Sequence, residues 1–479
     1  MQNLSKALVH PFRTPRNYYL FDGNKNAVLK VPKSIHALFE KKTKIQLSND
    51  DTLFLKKLYG EGYLHPSPVC QIEHQYEQIL NEILCRRVEG ITLQVTQQCN
   101  LRCKYCIYSG SYKSREHSGK KMSFEMAKKG VDFVLQRSVD IPTVAINFYG
   151  GEPLLAFDLM KKVVEYAKKR AEGKKIVFNV TTNGTLFTDE NIRFLSENAF
   201  SVMISLDGSK EVHDKNRVFA ASGKGTFDAI MHNLQHIKTY FPEFYKRIIF
   251  NAVIDPTLGK ACTNNFFITS KELEGAQVTA SLVSVQYKKD EIAIPDSFFI
   301  DEEIGKFKLL LHKLQRVDGK YISAIMAEKF QQIQTRMYLI RQHYSSLPAK
   351  CHPGGPCVPG ATRLFLNVDG EFYPCERVSE TSKNTCIGHI NTGFDMPQVS
   401  KILNIARLTE NACKKCWAFI HCYQCVAVAD DIDSLSKQKR LEECSSVKYL
   451  THEILRDYCT LLEHGYVFEN EKTTLQAWG

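Results

Sequence analysis

The chain has 479 residues, 43% hydrophobic and 24% charged, which is ordinary for a globular protein and long enough for two or three domains. No apolar run is long enough to span a bilayer, and the start, MQNLSKALVHPF, lacks a signal-peptide core, so we expect a cytoplasmic protein with no membrane partner. The net charge of +11 suits an acidic peptide partner or a solvated lysine-rich surface, and no arginine-rich tract interleaved with aromatic residues points to nucleic acid.

Residues 1–88 predict a small domain ahead of the first cysteine motif. Asn17–Phe21 and Ala27–Val31 are strand-like runs around an Asp-Gly-Asn turn. Pro32 opens a helix that runs to Glu40, and Ser48 precedes the apolar spacing of a second, capped helix. Two strands followed by helices fit a winged-helix-like module.

Residues 89–290 alternate between strand-like and amphipathic helical stretches. This alternation predicts a parallel sheet that curves into a partial (β/α)6 barrel, of overall class α/β. In such barrels the active site lies at the carboxyl ends of the strands. The six predicted strands are Ile91–Thr96, Thr143–Phe148, Ile176–Thr181, Ser201–Leu206, Ile248–Val253 and Gln277–Val283.

Three cysteines follow the first predicted strand with the spacing CxxxCxxC: Cys99, Cys103 and Cys106. Three thiolates on one short loop can bind three irons of a [4Fe-4S] cluster and leave the fourth iron open to another ligand. A zinc loop or three buried cysteines would be the alternative. Zinc sites usually have four closed ligands, whereas this loop ends at its third cysteine.

Residues 291–348 predict a helical connector, and residues 349–479 a second, cysteine-rich metal region. Clustered cysteines in a cytosolic chain indicate metal rather than disulfides. Eight ligands would serve two iron–sulfur clusters or two zinc sites. Four isolated cysteines are more often small buried hydrophobic residues than ligands: Cys70, Cys85, Cys262 and Cys459.

The triad, with an aromatic residue before its third cysteine, resembles the signature of the radical S-adenosylmethionine (SAM) superfamily over residues 90–290. Gly150-Gly151-Glu152-Pro153 is similar to that family's motif for the methionine amino group of SAM. Ser205-Leu-Asp-Gly and a downstream Arg217 resemble the peptide-modifying branch. The resemblance therefore implies these SAM-binding residues: Tyr105, Gly150, Gly151, Glu152, Ser205 and Arg217.

The cysteine-rich region resembles the SPASM domain, which binds two auxiliary [4Fe-4S] clusters and would bring the total to three. The resemblance implies that Cys351, Cys357, Cys375 and Cys425 hold the first auxiliary cluster. It implies that Cys413, Cys416, Cys422 and Cys444 hold the second. The spacing from Cys422 to Cys425 is two residues instead of the usual three, so Cys386 is a possible substitute ligand.

SPASM proteins act mainly on peptides, and the module at residues 1–88 resembles the leader-peptide recognition element of enzymes that modify ribosomally made peptides. A leader would add as a strand to the exposed sheet edge. Lysines would suit an acidic leader, although the module could instead be a stabilising cap. The lysines are Lys30, Lys33, Lys41, Lys42, Lys44, Lys56 and Lys57.

The whole arrangement is similar to the maturases of sactipeptides and ranthipeptides. It implies hydrogen abstraction from a precursor peptide, thioether formation with a cysteine, and an external electron donor such as flavodoxin or ferredoxin. Three alternatives remain open. They are a carbon–carbon crosslinking or epimerising maturase, a sulfatase-type maturase that forms formylglycine, and an iron–sulfur electron carrier without catalysis. The long N-terminal extension disfavours the second, and the Gly150–Pro153 motif disfavours the third. No catalytic acid or base is predicted.

Overall fold

The computed structural model describes residues 4–40, 46–339, 346–355 and 357–468. Within these ranges the chain forms three β-sheets. Lys41, Lys42 and Lys44, which were predicted to attract an acidic leader, lie outside the described residues.

The N-terminal sheet has three antiparallel strands, β1 (Val9–Arg13), β2 (Tyr18–Asp22) and β3 (Ala27–Val31). Helices α1 (Lys33–Phe39) and α2 (Asn49–Gly60) pack on one face. The predicted cap at Ser48 is confirmed, because Ser48 and Asp51 form a reciprocal capping box. Strand β1 was not predicted, since its central Pro11 is typical of edge strands only.

The largest sheet has ten strands, and six of them match the six predicted strands to within two residues at each end. These six are parallel, and each pairs with its sequence neighbour, as in a partial barrel. After a short β4 (Gln71–Ile72), they are β5 (Gly90–Thr96), β6 (Thr143–Gly150), β7 (Lys175–Thr182), β8 (Ser201–Ser205), β9 (Ile248–Ile254) and β10 (Gln277–Leu282).

Helices cover the outer face of these strands. Ile91, Leu93 and Val95 of β5 are fully buried on that side. The inner face is polar: the Asn179 amide donates to Asn147 Oδ1 at 2.6 Å, and the Asn147 amide to Thr92 Oγ1 at 3.2 Å. An interior lined by amides and hydroxyls suits a polar ligand better than an apolar core would.

The remaining helices follow in chain order. They are α3 (Leu80–Arg86), α4 (Phe124–Gln136), α5 (Phe157–Arg170), α6 (Asp189–Glu197), α7 (Lys210–Asn216), α8 (Phe227–Tyr240), α9 (Pro242–Tyr245), α10 (Ala261–Thr269), α11 (Asp296–Lys313), α12 (Ala324–Ile333), α13 (Met396–Leu403), α14 (Glu410–Cys413), α15 (Val426–Ala429), α16 (Lys437–Glu442) and α17 (Cys444–Glu463). Within the described ranges, no helix is both long and apolar enough to cross a membrane.

The cysteine-rich region continues the large sheet. β12 (Phe365–Leu366) pairs in parallel with β5, whereas β11 (Lys350–Cys351) pairs with β4 in a separate two-stranded sheet. The large sheet then runs through β13 (Glu371–Tyr373), β14 (Gly388–His389) and β15 (Gly393–Phe394). The region is therefore joined by backbone hydrogen bonds to the first strand of the barrel, next to the cysteine triad.

Candidate active site

The loop after β5 lies against the glycines that end β6. The Gly151 N–H donates to Thr96 O at 2.9 Å, and the Glu152 N–H donates to Gln98 O at 2.9 Å. A Cβ atom on Gly150, whose φ is +142°, would lie 2.0 Å from Thr96 O, and one on Gly151 would lie 2.1 Å from Gln98 O. Only glycine allows this approach, so the Gly-Gly pair fixes the path of the chain toward Cys99.

The three thiols of the triad lie near one another on this loop. The Leu101 N–H donates to Cys99 Sγ at 3.3 Å, and the Tyr108 N–H donates to Cys106 Sγ at 3.5 Å. Burial is the main reason that the pKa of Cys99 rises to about 12 and that of Cys103 to about 11, with the neighbouring thiols adding to both. Buried thiols without a metal stay protonated, and backbone N–H groups aimed at sulfur suit a metal-bound thiolate.

Glu152 is completely buried beside this loop. Its Oε1 accepts from the Leu154 N–H at 3.0 Å and the Thr182 hydroxyl at 2.8 Å, and its Oε2 accepts from the Asn183 N–H at 2.7 Å. Burial raises its pKa to about 7, although these donors pull the pKa down. A fixed carboxylate at this position can accept from the ammonium group of a ligand.

A buried ion pair lies on the other side of the triad. Arg217 Nε is 2.9 Å from Asp207 Oδ2, and the Tyr105 hydroxyl donates to the same oxygen. The Arg217 guanidinium lies 5.4 Å from the centre of the Tyr105 ring. Ser205 ends β8, half-buried, with Asn251 beside it in register. The structure thus brings Tyr105, Ser205 and Arg217 to the same end of the barrel as Glu152 and the triad.

Seven of the downstream cysteines fall into two neighbourhoods, one of three and one of four. Burial raises the pKa of Cys375 to about 12, and Cys425 and Cys357 raise it further. Burial likewise raises the pKa of Cys416 to about 11, with contributions from Cys422 and Cys413. The pKa of Cys422 is raised by burial and also by Cys413 and Cys444.

Two cysteines lie apart from these groups. Cys351 is paired across strands with Ile72, and its pKa is raised to about 11 by burial and by Cys70 rather than by the other cysteines of its implied set. Cys386 lies near Glu371 and Asp395. Within the described residues, no three His, Cys, Asp or Glu side chains are close enough to hold one metal ion. A zinc ion keeps sulfur at about 2.3 Å, whereas a four-iron cluster spreads its ligands around a larger body.

Two groups beside the triad loop were not predicted as site residues from the sequence. The Asn183 amide lies 3.9 Å from Cys99 Sγ and 2.8 Å from Asn100 Oδ1, and Asp207 holds Arg217. Both belong to strand-end motifs that the sequence displays, Thr-Asn-Gly after β7 and Ser-Leu-Asp-Gly after β8. Their position at strand ends was the available signal.

The fold and the site define a class of proteins: partial α/β barrels with three grouped thiols after the first strand and a buried carboxylate after the second. The model of the radical SAM superfamily matches residues 93–258. A cysteine-type anaerobic sulfatase-maturating enzyme of Clostridium novyi is 34% identical over 293 residues, which cover 59% of this chain and 71% of that enzyme. The chain belongs to the radical SAM superfamily, whose members bind SAM and a [4Fe-4S] cluster.

Other relatives match more distantly. The mycofactocin maturase MftC of Mycolicibacterium smegmatis is 30% identical over 172 residues, which cover 36% of this chain and 38% of MftC. The solved structure of native anSMEcpe with bound AdoMet has a TM-score of 0.56 and 22% identity, and the match covers 77% of this chain and 99% of that chain. By their names, both of these curated relatives are maturases, one of sulfatases and one of mycofactocin.

Proposed function

We propose that the protein is a radical SAM maturase that installs cysteine thioether crosslinks in a ribosomally made precursor peptide, to Asp or another acceptor carbon, in the manner of the freyrasin-type maturases. The observation that carries the proposal is the presence of two further cysteine neighbourhoods in a region that continues the barrel sheet from β5 through β12. A one-cluster enzyme would not need them.

In this proposal Cys99, Cys103 and Cys106 hold the first [4Fe-4S] cluster. When bound and reduced, that cluster would supply the electron for cleavage of SAM to methionine and a 5′-deoxyadenosyl radical. Glu152 holds the amino group of SAM, and Gly150 and Gly151 give its backbone room. Tyr105, Ser205 and Arg217 contact the rest of SAM, and the chain must orient the peptide so that only the intended hydrogen lies near the radical carbon.

Eight of the downstream cysteines hold two auxiliary [4Fe-4S] clusters in the proposed arrangement. Cys413, Cys416, Cys422 and Cys444 fit the second cluster, because each has at least one of the others as a neighbour. Cys357, Cys375 and Cys425 fit the first in the same way. Cys351 completes that set by resemblance only, and Cys386 lies apart from both sets. Formation of a thioether removes one hydrogen atom from the acceptor carbon, one proton from the thiol and one further electron. An auxiliary cluster could accept that electron.

The division into residues 1–88, 89–290, 291–348 and 349–479 is also part of the proposal, with 1–88 as the leader-recognition module. Among the described residues of the N-terminal sheet, β3 pairs only with β2, so its other edge is open to an added strand there. Lys30 of β3 and Arg16 line a pocket of about 320 Å³ with Asn17, Tyr19, Leu462 and Glu463. These two cations suit an acidic side chain of the leader.

The second candidate function is formylglycine formation in a protein substrate. The observation that favours it is the similarity to the sulfatase-maturating enzyme of Clostridium novyi. A carbon–carbon crosslinking or epimerising maturase would share every motif described above. The alternatives differ in product, not in the initiating site.

The deciding experiment combines anaerobic reconstitution with product analysis. Added SAM and a reductant, with flavodoxin or ferredoxin as the donor, should yield 5′-deoxyadenosine, and none would exclude radical initiation. A co-expressed precursor peptide should lose two hydrogens and one alkylatable thiol for each crosslink. Unchanged thiols would exclude thioethers. An aldehyde trapped by a hydrazide in a sulfatase-derived peptide would identify formylglycine instead.

A further inference from the structure

Two residues that adjoin cysteines of the second auxiliary set contact the N-terminal sheet directly. The His10 ring of β1 stacks on Trp417, with ring centres 3.8 Å apart and planes 6° from parallel. Trp417 follows Cys416 in the chain. Asn26, in the turn between β2 and β3, pairs through Oδ1 with His421 Nε2 at 3.0 Å. His421 precedes Cys422.

The contact between Asn26 and His421 is buried, the stack of His10 on Trp417 is half-buried, and both are closely fitted. Asn26 is completely buried, and His421 is 4% exposed. A Cβ atom on Gly23 would lie 2.8 Å from Trp417 O, so the backbone of the sheet itself approaches the cysteine loop. The Phe21 ring contacts both Trp417 and His421. Because the interface is so closely packed, a shift of the N-terminal sheet would also shift the cysteine loop.

The helix that begins at the fourth cysteine of the set also contacts the same sheet. Cys444 begins α17, and Glu463 ends it. Glu463 Oε1 accepts hydrogen bonds from Thr14, Asn17 and Tyr19, at 2.6–2.7 Å. Midway along the helix, His452 pairs with His10 at 2.8 Å. The N-terminal sheet therefore contacts both segments that carry the second auxiliary set.

We infer that His10 and Asn26 are positioning residues of the second auxiliary cluster. By holding Trp417 and His421, they fix the loop from which Cys416 and Cys422 reach the cluster. The inference rests on the proposed second auxiliary cluster. It gives residues 9–31 a role in cluster assembly as well as the proposed role in leader recognition, and by linkage a ligand on this sheet would be coupled to cluster binding.

These contacts matter because they preorganise the cysteine loop. A four-thiol site binds a cluster well when its ligands are held near their final positions before binding. Loss of the His10 stack and the Asn26 hydrogen bond frees the loop between Cys413 and Cys422. The other two cysteine groups do not contact these residues among the described contacts, so their clusters should be retained.

The test compares full-length variants after anaerobic reconstitution. The wild type should carry about 12 irons per chain, as three four-iron clusters require. The double variant His10→Ala with Asn26→Ala should carry about 8 and lose one of three reduced-cluster signals in electron paramagnetic resonance. His10→Phe alone keeps a stacking ring and should retain the full count.

A matched control and an optical readout separate positioning from general instability. Ile35→Val thins the core on the opposite face of the same sheet, against α1, and should keep about 12 irons. The chain has two tryptophans. In a Trp478→Phe background, tryptophan fluorescence comes from Trp417 alone. The cluster should quench this fluorescence when His10 and Asn26 are present but not when both are changed to Ala.

The outcomes are distinguishable. A wild type that carries only about 8 irons and shows no quenching of Trp417 would refute the second auxiliary cluster, and with it this inference. A wild type with about 12 irons and a double variant that matches it in iron, resonance signals and Trp417 quenching would refute the inference alone. Equal iron loss in Ile35→Val would also refute it, because the effect would then not depend on His10 and Asn26.

Discussion

Arg217 and Asp207 form a buried ion pair next to the cysteine triad, with Arg217 Nε 2.9 Å from Asp207 Oδ2. Both side chains are less than one-tenth exposed. Asp207 also accepts from the Tyr105 hydroxyl and from the Val253 N–H, at 3.0 Å for the latter. One carboxylate thus fixes an arginine, a tyrosine and the strand β9 around the loop that carries Cys103.

We expect Asp207→Asn to destabilise the protein strongly, because it leaves the Arg217 cation buried without a counter-charge. Loss of one partner of a buried pair typically costs about 3–5 kcal/mol. Urea unfolding of the metal-free chain measures the change. Asp189→Asn is the control, since it breaks an exposed contact with His236 and should cost less than about 1 kcal/mol. Equal costs for the two variants would contradict the expectation.

Gly151→Ala should disrupt the triad loop. Its Cβ atom would lie 2.1 Å from Gln98 O, next to Cys99, so the backbone must move. We expect loss of the first cluster, seen as about 4 fewer irons after reconstitution. Gly60→Ala is the matched control at the end of α2, where a Cβ atom meets nothing within 4 Å. It should retain all the iron and be as stable as the wild type or more so.

The sequence was sufficient to predict the six parallel strands, because each is rich in apolar residues and is bounded by turn residues. The inner-face polarity of β5, β6 and β7 did not hide them, since the alternate residues are strongly apolar. It was not sufficient for β1, whose Pro11 masks the strand pattern, or for β4, which is only two residues long. A two-residue strand acquires its identity from its partner, here β11.

The positions of the cysteines could likewise be predicted only in part. Spacing along the chain grouped the triad correctly in one loop, but local spacing carries no information about contacts between distant segments. The pairing of β4 with β11, which places Cys70 beside Cys351, joins residues 279 positions apart. The stack of His10 on Trp417 is similarly non-local. Asp207 could have been predicted, because it lies within a strand-end motif.

Removal of the triad thiols should abolish radical initiation without removing the other clusters. The variant with Cys99, Cys103 and Cys106 all changed to Ala should lose about 4 irons and form no 5′-deoxyadenosine. Cys85→Ala removes an exposed cysteine with no thiol neighbour among the described contacts, so it should keep both properties. Deoxyadenosine formation by the triple variant would show that the triad is not the initiating site.

SAM binding should weaken as the pH falls, because of Glu152. Burial raises the pKa of this carboxyl to about 7 in the ligand-free protein. Glu152 is therefore mostly ionised at pH 8 and mostly protonated at pH 6, and only the ionised form attracts the SAM ammonium group. We expect the Kd for SAM to rise by up to about tenfold from pH 8 to pH 6, as one decade per pH unit below the pKa implies.

Two variants isolate this effect in equilibrium dialysis of the reconstituted protein. Glu152→Gln keeps the shape but never ionises, so SAM should bind about 10–100-fold more weakly at pH 8, as loss of a charged hydrogen bond implies. Its affinity should also be nearly constant between pH 6 and pH 8. Glu165→Gln removes an exposed carboxylate paired with Lys169 and should reproduce the wild-type pH profile. A Glu152→Gln protein with the wild-type slope would show that another group governs SAM binding.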